Sequence, residues 1–226
     1  GFSSGGELAR ICAEKGISHV KLGAALTPRS ALPHILYSTL IALERLGYQV
    51  VSPDEIANSI TIMRKMRESI GVERSLKDNE AKQIAQHLLN TTPIIYGPQE
   101  FKGVLIRFKN SLNENAKVHA LVEILPEACH NDIEAWHQNL PNYKAIFVLG
   151  KYGRRLKKRF DTLAELIERA GAEYRSIYIR EPSPFESMIK LLYLLEYTTL
   201  YLAVLRGVPP APTPNIALLK KRLSED

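Results

Sequence analysis

Cysteine is scarce in this chain. Cys12 and Cys129 are its two thiols, too few for a disulfide framework or a cysteine metal knuckle. Both read as reduced thiols of a cytoplasmic protein. Metal-ligand spacing is missing too. His19, His34, His87, His119 and His137 fall into no ligand pattern, and adjacent Cys129 and His130 point in divergent directions. No apolar run reads as long enough to span a bilayer. The richest, 189–205, is interrupted by Lys190 and Glu196 and reads as a buried core helix. There is no secretory signal pattern and no tandem repeat of about 20 to 50 residues. Concentrated basic charge is also rare. Lys and Arg outnumber Asp and Glu by 30 to 24, yet only 151–159 is densely basic. No aromatic interleaves the cations of 154–159, so bases would find no stacking platform there. That run reads as a solvated helix start, with neither nucleic acid nor membrane as partner. The net charge of +6 still attracts anions, phosphorylated metabolites among them.

What is present is an ordinary globular composition, 45% apolar and 24% charged over 226 residues, enough for one large domain or two small ones. The chain opens at Gly1 without methionine, which reads as a fragment or a processed product. Helical spacing marks 5–15, 30–46, 53–70, 80–89, 101–112, 155–170, 184–206 and 214–223, with Gly16, Gly47, Gly71 and Gly171 placed as stops. Short apolar runs at 19–22, 93–97, 118–125, 145–150 and 176–179 read as strands. Strands alternating with helices imply an α/β fold whose parallel sheet is covered on both faces. Ligands of such sheets bind at the strands' carboxyl ends, so the turns after Tyr96 and Leu149 are candidate rims. The expected division lies near Ser52: a shorter unit over 1–52, then a more complete α/β unit over 53–226.

The candidates for chemistry begin with Glu114, in the run Asn113-Glu114-Asn115-Ala116-Lys117, and His130, in Cys129-His130-Asn131-Asp132-Ile133-Glu134-Ala135-Trp136. A carboxylate and an imidazole held in one cleft move protons near neutral pH. From the residues alone, Glu114 is equally a surface carboxylate at a helix end, and His130 a structural histidine. Arg29, in Pro28-Arg29-Ser30-Ala31-Leu32-Pro33, offers a charge that does not titrate, for an oxyanion or for a surface ion pair. Thr213 is placed to cap the last helix, which carries Lys220. The preceding loop, 207–214, is stiffened by four prolines.

These segments resemble the bifunctional phosphoglucose/phosphomannose isomerase family, built from two sugar isomerase (SIS) domains. The likeness runs through Ser4 to Ala9, Thr27 to Pro33, Asn113 to Lys117, His130 to Trp136 and Tyr201 to Lys220, in the family's order and over nearly the whole chain. It implies Rossmann-like, three-layer SIS domains, with residues 1–52 the remainder of a first domain and 53–226 the second. It implies interconversion of glucose 6-phosphate and mannose 6-phosphate with fructose 6-phosphate, a step of glycolysis and gluconeogenesis. Carried over, Glu114 shuttles a proton between C1 and C2 through a cis-enediol, and Arg29 stabilises that intermediate's charge. His130 helps open the sugar ring, reaching the site from a dimer partner. Lys220 assists at the ring oxygen, Pro28 lines the sugar pocket, and Thr213 leaves room for both C2 epimers. No metal or organic cofactor is required. The chain departs from the family in one respect: its Ser/Thr-rich phosphate-gripping turns do not occur here. The alternative is therefore a non-catalytic SIS module that binds sugar phosphate or dimerises.

Overall fold

The computed structural model describes residues 1–23 and 27–225. It divides into two compact units, Gly1–Asp54 and Glu55–Asp226. The first holds β1 (Phe2–Ser3), α1 (Gly6–Glu14), β2 (Val20–Lys21) and α2 (Leu32–Arg45), with β1 and β2 paired in parallel. Its tight turn, a short 3-10 helix over Pro28–Ala31, is locked by reciprocal capping. Thr27 N–H donates to Ser30 Oγ at 3.0 Å, and Ser30 N–H to Thr27 O at 3.0 Å. Arg29 is presented from this turn.

In the second unit, α3 (Pro53–Ile70), which starts at the boundary, and α4 (Glu80–Leu88) precede a four-stranded parallel sheet: β3 (Thr92–Pro98), β4 (Leu121–Leu125), β5 (Tyr143–Leu149) and β6 (Glu173–Tyr178). The strand order is β4-β3-β5-β6. β3 and β5 are central, and their runs Ile94-Ile95-Tyr96 and Ala145-Ile146-Phe147-Val148 are buried on both faces, as parallel strands require. α5 (Lys102–Ser111) crosses from β3 to β4, and α6 (Arg154–Arg169) from β5 to β6. Two cores result, one on each side of the sheet. One gathers Ile95, Leu105, Phe108, Ile146 and Leu195. The other gathers Tyr96, Phe147, Phe160, Leu163 and Ile167.

Sequence periodicity explains the helices. α4 buries Ala81, Ile84, Ala85 and Leu88, spaced i, i+3, i+4, i+7. α7 (Pro184–Leu205) bears out the core-helix reading but corrects the reading of its apolar length. By length and hydropathy it is apolar enough to cross a bilayer, the interrupting charges notwithstanding. What it meets decides its role: it packs on α4 and α5 and buries Ile189, Leu191, Leu194, Leu195 and Leu202. Two of its buried hydroxyls bond back into the helix, Thr198 Oγ1 to Leu194 O at 3.0 Å and Thr199 Oγ1 to Glu196 O at 2.8 Å. Gly97 sets the spacing of α5 on the sheet, since a Cβ there would lie 2.5 Å from Leu105 Cδ1. Element ends differ from expectation by a few residues. The expected strand 118–125 is regular only from Leu121, and the following connection, which begins with a cis Leu125–Pro126 bond, forms two 3-10 turns, Glu127–Cys129 and Asp132–His137. The last helix, α8 (Pro214–Leu223), buries no side chain.

Candidate active site

Helices that cross between parallel strands run antiparallel to them. α5 and α7 therefore both leave the carboxyl edge of the sheet and end at its amino edge, where their exits meet. At the end of α5 the chain widens into one π-turn, Leu112–Ala116, a rare form that concentrates at functional sites. The cause is a division of labour among its residues. Leu112 and Ala116 are fully buried, and Asn115 is buried with its Nδ2 donating to Thr199 Oγ1 of α7 at 2.8 Å. These anchors hold one side in the core and leave Asn113 and Glu114 half-buried toward a cleft. The turn closes through Asn113 Nδ2 to Val118 O (2.6 Å) and Val118 N–H to Leu112 O (3.1 Å).

Lys117 ends the turn in the left-handed region, at φ 57° and ψ 41°. Its ammonium donates to Glu114 O, to Pro212 O at 2.9 Å and to Pro210 O at 3.4 Å. Arg206 Nε donates to Ala116 O at 3.0 Å. Together they staple the turn that bears Glu114 to the proline-rich loop that bears Thr213. Between them lies a cleft of about 450 Å³, lined by Glu114, Asn113, Lys117, His119, Thr213 and Asn215 among others. A half-buried carboxylate facing a cleft with cationic and amide neighbours can take a proton from a bound carbon acid and return it.

Among the predicted site residues, the structure brings together Glu114 and Thr213. Lys220 is on exposed α8, beyond the residues that line the cleft. Thr213 is the residue before α8 but makes no side-chain cap bond. Pro28 and Arg29 belong to the first unit. His130 is exposed at the end of the Glu127–Cys129 turn, its N–H bonded to Glu127 O at 2.8 Å. That turn follows the carboxyl end of β4, whereas Glu114 precedes its amino end. The five residues of β4 span about 17 Å, so within one chain the two do not share a cleft.

The segment around His130 is held by a link the sequence did not disclose. Tyr96 O–H donates to Asp132 Oδ2, and Trp136 Nε1–H donates to the Tyr96 oxygen at 2.8 Å. Burial pushes the Asp132 carboxyl above its ordinary range, against the bond from Tyr96. Burial, then Asp132, pushes Glu123 up as well. The polar tip of Tyr96 within an apolar strand was the available signal, since a buried tyrosine needs a partner.

The expected rim also exists. The turns after β3, β5 and β6 enclose a second cleft of about 280 Å³ that includes Glu100, Gly150, Lys151, Glu181 and Ser183. It suits a sugar phosphate poorly. Two carboxylates face it, Glu181 is paired with Lys190, and the Ser183 hydroxyl caps α7 at Glu186 N–H, 3.1 Å.

The sheet order, helix layers and clefts at its two edges define a SIS-type α/β protein, and solved structures bear this out at the level of fold. A glucose-6-phosphate isomerase like protein from Thermus thermophilus aligns at TM-score 0.62 and 22% identity, over 85% of this chain and 60% of that one. A second protein from Thermus thermophilus, described as hypothetical, aligns at TM-score 0.77 and 15% identity, over 97% of this chain and 60% of that one. The model of the bacterial phospho-glucose isomerase C-terminal SIS domain matches residues 77–223, and the chain belongs to that family. It is 28% identical over 229 residues to the bifunctional phosphoglucose/phosphomannose isomerase of Caldicellulosiruptor bescii, covering 99% of this chain and 68% of that enzyme. The chain thus spans about two thirds or less of the length of these relatives.

Proposed function

We propose that this protein acts in aldose–ketose isomerisation, interconverting glucose 6-phosphate and mannose 6-phosphate with fructose 6-phosphate through a cis-enediol. The observation that carries the reading is the stapled cleft: Glu114 half-buried on its π-turn, facing Thr213 across about 450 Å³, in a chain of an isomerase family. Glu114 is the base. It takes the C2 proton of the open-chain aldose while O1 gains a proton, and the enediol collapses as C1 receives the proton back and O2 loses its own. One carboxylate on one face of the enediol suffices for both transfers. Arg29 offsets the negative charge that develops on the enediol oxygens, and Pro28 lines the sugar. Thr213 leaves room for either C2 configuration. His130 helps open the sugar ring, in which the C1–O5 bond breaks as O5 gains a proton and the C1 hydroxyl loses one, and, being remote from its own Glu114, does so in a partner subunit. The role at the ring oxygen which the resemblance implies for Lys220 requires exposed α8, which carries it outside the cleft of its own chain, to approach the substrate. The protein is on this reading a cytoplasmic homodimer that needs neither metal nor organic cofactor.

Glu114→Gln tests it. The amide keeps shape and hydrogen bonding but accepts no proton, so turnover of glucose 6-phosphate should fall at least about 100-fold, the low end for a positioned base, with binding near normal. Equal turnover would refute the assignment and move attention to Glu123, Glu127 and Glu134. Light scattering at micromolar concentration should show a dimer, and a monomer would remove the role given to His130. A second reading is a non-catalytic sugar-phosphate-binding or dimerisation module. Binding of glucose 6-phosphate by a dimer with no turnover would select it.

A further inference from the structure

On the opposite side of the sheet from Glu114 lies a second cleft of about 450 Å³. Cys129 and Ile133 of the 3-10 connection form one wall, and Arg155, Lys158, Arg159, Thr162 and Leu163 of α6 form the other. Leu163 belongs to the core that covers that face, whereas Leu112 and Ala116 of the Glu114 turn belong to the core of the other face.

Three exposed cations crowd one wall of this cleft. Arg155, Lys158 and Arg159 are spaced i, i+3, i+4, so their like charges share one helix face. They occupy the start of a 16-residue helix with no acidic residue in its first turn and no side-chain cap, where the helix dipole adds to the repulsion. Among the described residues none of the three pairs with a carboxylate. The nearby Lys157 does, bonding Asp161 at 2.8 Å, so this helix pairs a cation where an acid is supplied and leaves the cleft-facing three without one. No Asp or Glu lines the cleft.

We propose that this cleft binds a small phosphorylated molecule carrying at least two phosphoryl charges, at a site separate from the Glu114 cleft. Two guanidinium forks and an ammonium on one wall match phosphoryl oxygens, which arginine grips in bidentate fashion. Thr162 Oγ1 donates its proton to Lys158 O at 3.0 Å, so the hydrogen-bond donors of this wall are the three cations. Ile133 and Leu163 supply an apolar floor for a short carbon skeleton. Nucleic acid fits less well. The neighbouring aromatics Tyr152 and Phe160 stack on each other at 5.6 Å and 19°, and Phe160 is buried, so one face of each ring is already taken.

The probe is inorganic pyrophosphate, read by calorimetry and by alkylation of Cys129 in the cleft wall, followed by mass spectrometry. Pyrophosphate should bind more tightly than phosphate, slow alkylation of Cys129, and lose affinity as salt rises toward about 0.5 M, where screening is short-ranged. Arg155→Gln with Arg159→Gln should weaken binding at least about tenfold, with unfolding temperature unchanged or raised because like charges are removed. Lys157→Gln, on the pair with Asp161, should leave it unaltered. Glu114→Gln should also leave it unaltered, which separates this site from the proposed catalytic one. A sugar bisphosphate that matches or exceeds pyrophosphate would identify a metabolite as the ligand. The proposal is overturned if pyrophosphate fails to slow alkylation, if the double variant binds as well as the parent, or if a short single-stranded RNA displaces pyrophosphate at physiological salt.

Discussion

Lys117 carries two opposing contributions that one pair of variants separates. Its left-handed backbone costs a non-glycine residue about 1–2 kcal/mol, part of which glycine returns as unfolded-state entropy, leaving a net penalty of about 1 kcal/mol. Its ammonium holds Glu114 O, Pro212 O and Pro210 O. The side chain is exposed, so three charge-assisted bonds together contribute about 1–2 kcal/mol rather than their buried maximum. Lys117→Met loses the staple and keeps the backbone penalty. Lys117→Gly loses the staple and sheds the penalty. Urea unfolding should therefore place the methionine variant about 1–2 kcal/mol below the parent and the glycine variant about 1 kcal/mol above the methionine one.

Stability and loop order should part company. Hydrogen exchange over 208–217 should accelerate equally in both variants, because both free the proline-rich loop from the turn. Ala217 N–H, bonded to Thr213 O at 3.1 Å, is the reporter. Amides in the middle of α7 should not change. If the glycine variant is as unstable as the methionine variant, the backbone penalty is absent. If exchange over 208–217 is unaltered in both, Lys117 does not hold the loop, and Arg206 alone accounts for its order.

Two further perturbations follow from the sheet. Gly97→Ala places a methyl against Leu105 Cδ1, at 2.5 Å, and near Val148, which should destabilise by about 1–3 kcal/mol. Leu105→Ala should cost about 2–5 kcal/mol alone, and the double variant should be more stable than the sum, since the new methyl enters the vacated space; additive denaturation energies would refute that contact. Asp132→Asn keeps an acceptor for Tyr96 but removes a carboxyl whose folded pKa is raised by burial. The folded wild type binds this proton more tightly than the unfolded chain, so it loses stability as pH rises through the folded value, and the variant does not. The variant's stability relative to wild type should increase as pH rises above the ordinary carboxylate range in urea unfolding, and a pH-independent difference would show that burial does not perturb Asp132.

Much of the architecture was legible in local pattern. The i, i+3, i+4 spacing of α4 and of Phe160, Leu163 and Ile167 on α6 records which side of each helix is buried. The doubly apolar runs of β3 and β5 record a parallel sheet with two covered faces. These patterns are readable because burial acts on each side chain through its own neighbours along the element. The motif around Glu114 was visible as a motif, and the resemblance it carries matches the family of the chain. α7 shows the limit of local reading, since its hydropathy alone gives one answer and its packing on α4 and α5 another.

Tertiary structure decided where those residues stand. It set Glu114 and Thr213 side by side because α5 and α7, both antiparallel to the strands, end at one edge of the sheet. It set His130 at the other edge because a strand intervenes. It joined Tyr96 to Asp132 and Lys117 to Pro212, pairs separated by 36 and 95 residues. Such contacts leave little trace in a single sequence. They form between groups that no local period relates, and only closure of the chain around the sheet brings their donors and acceptors within reach.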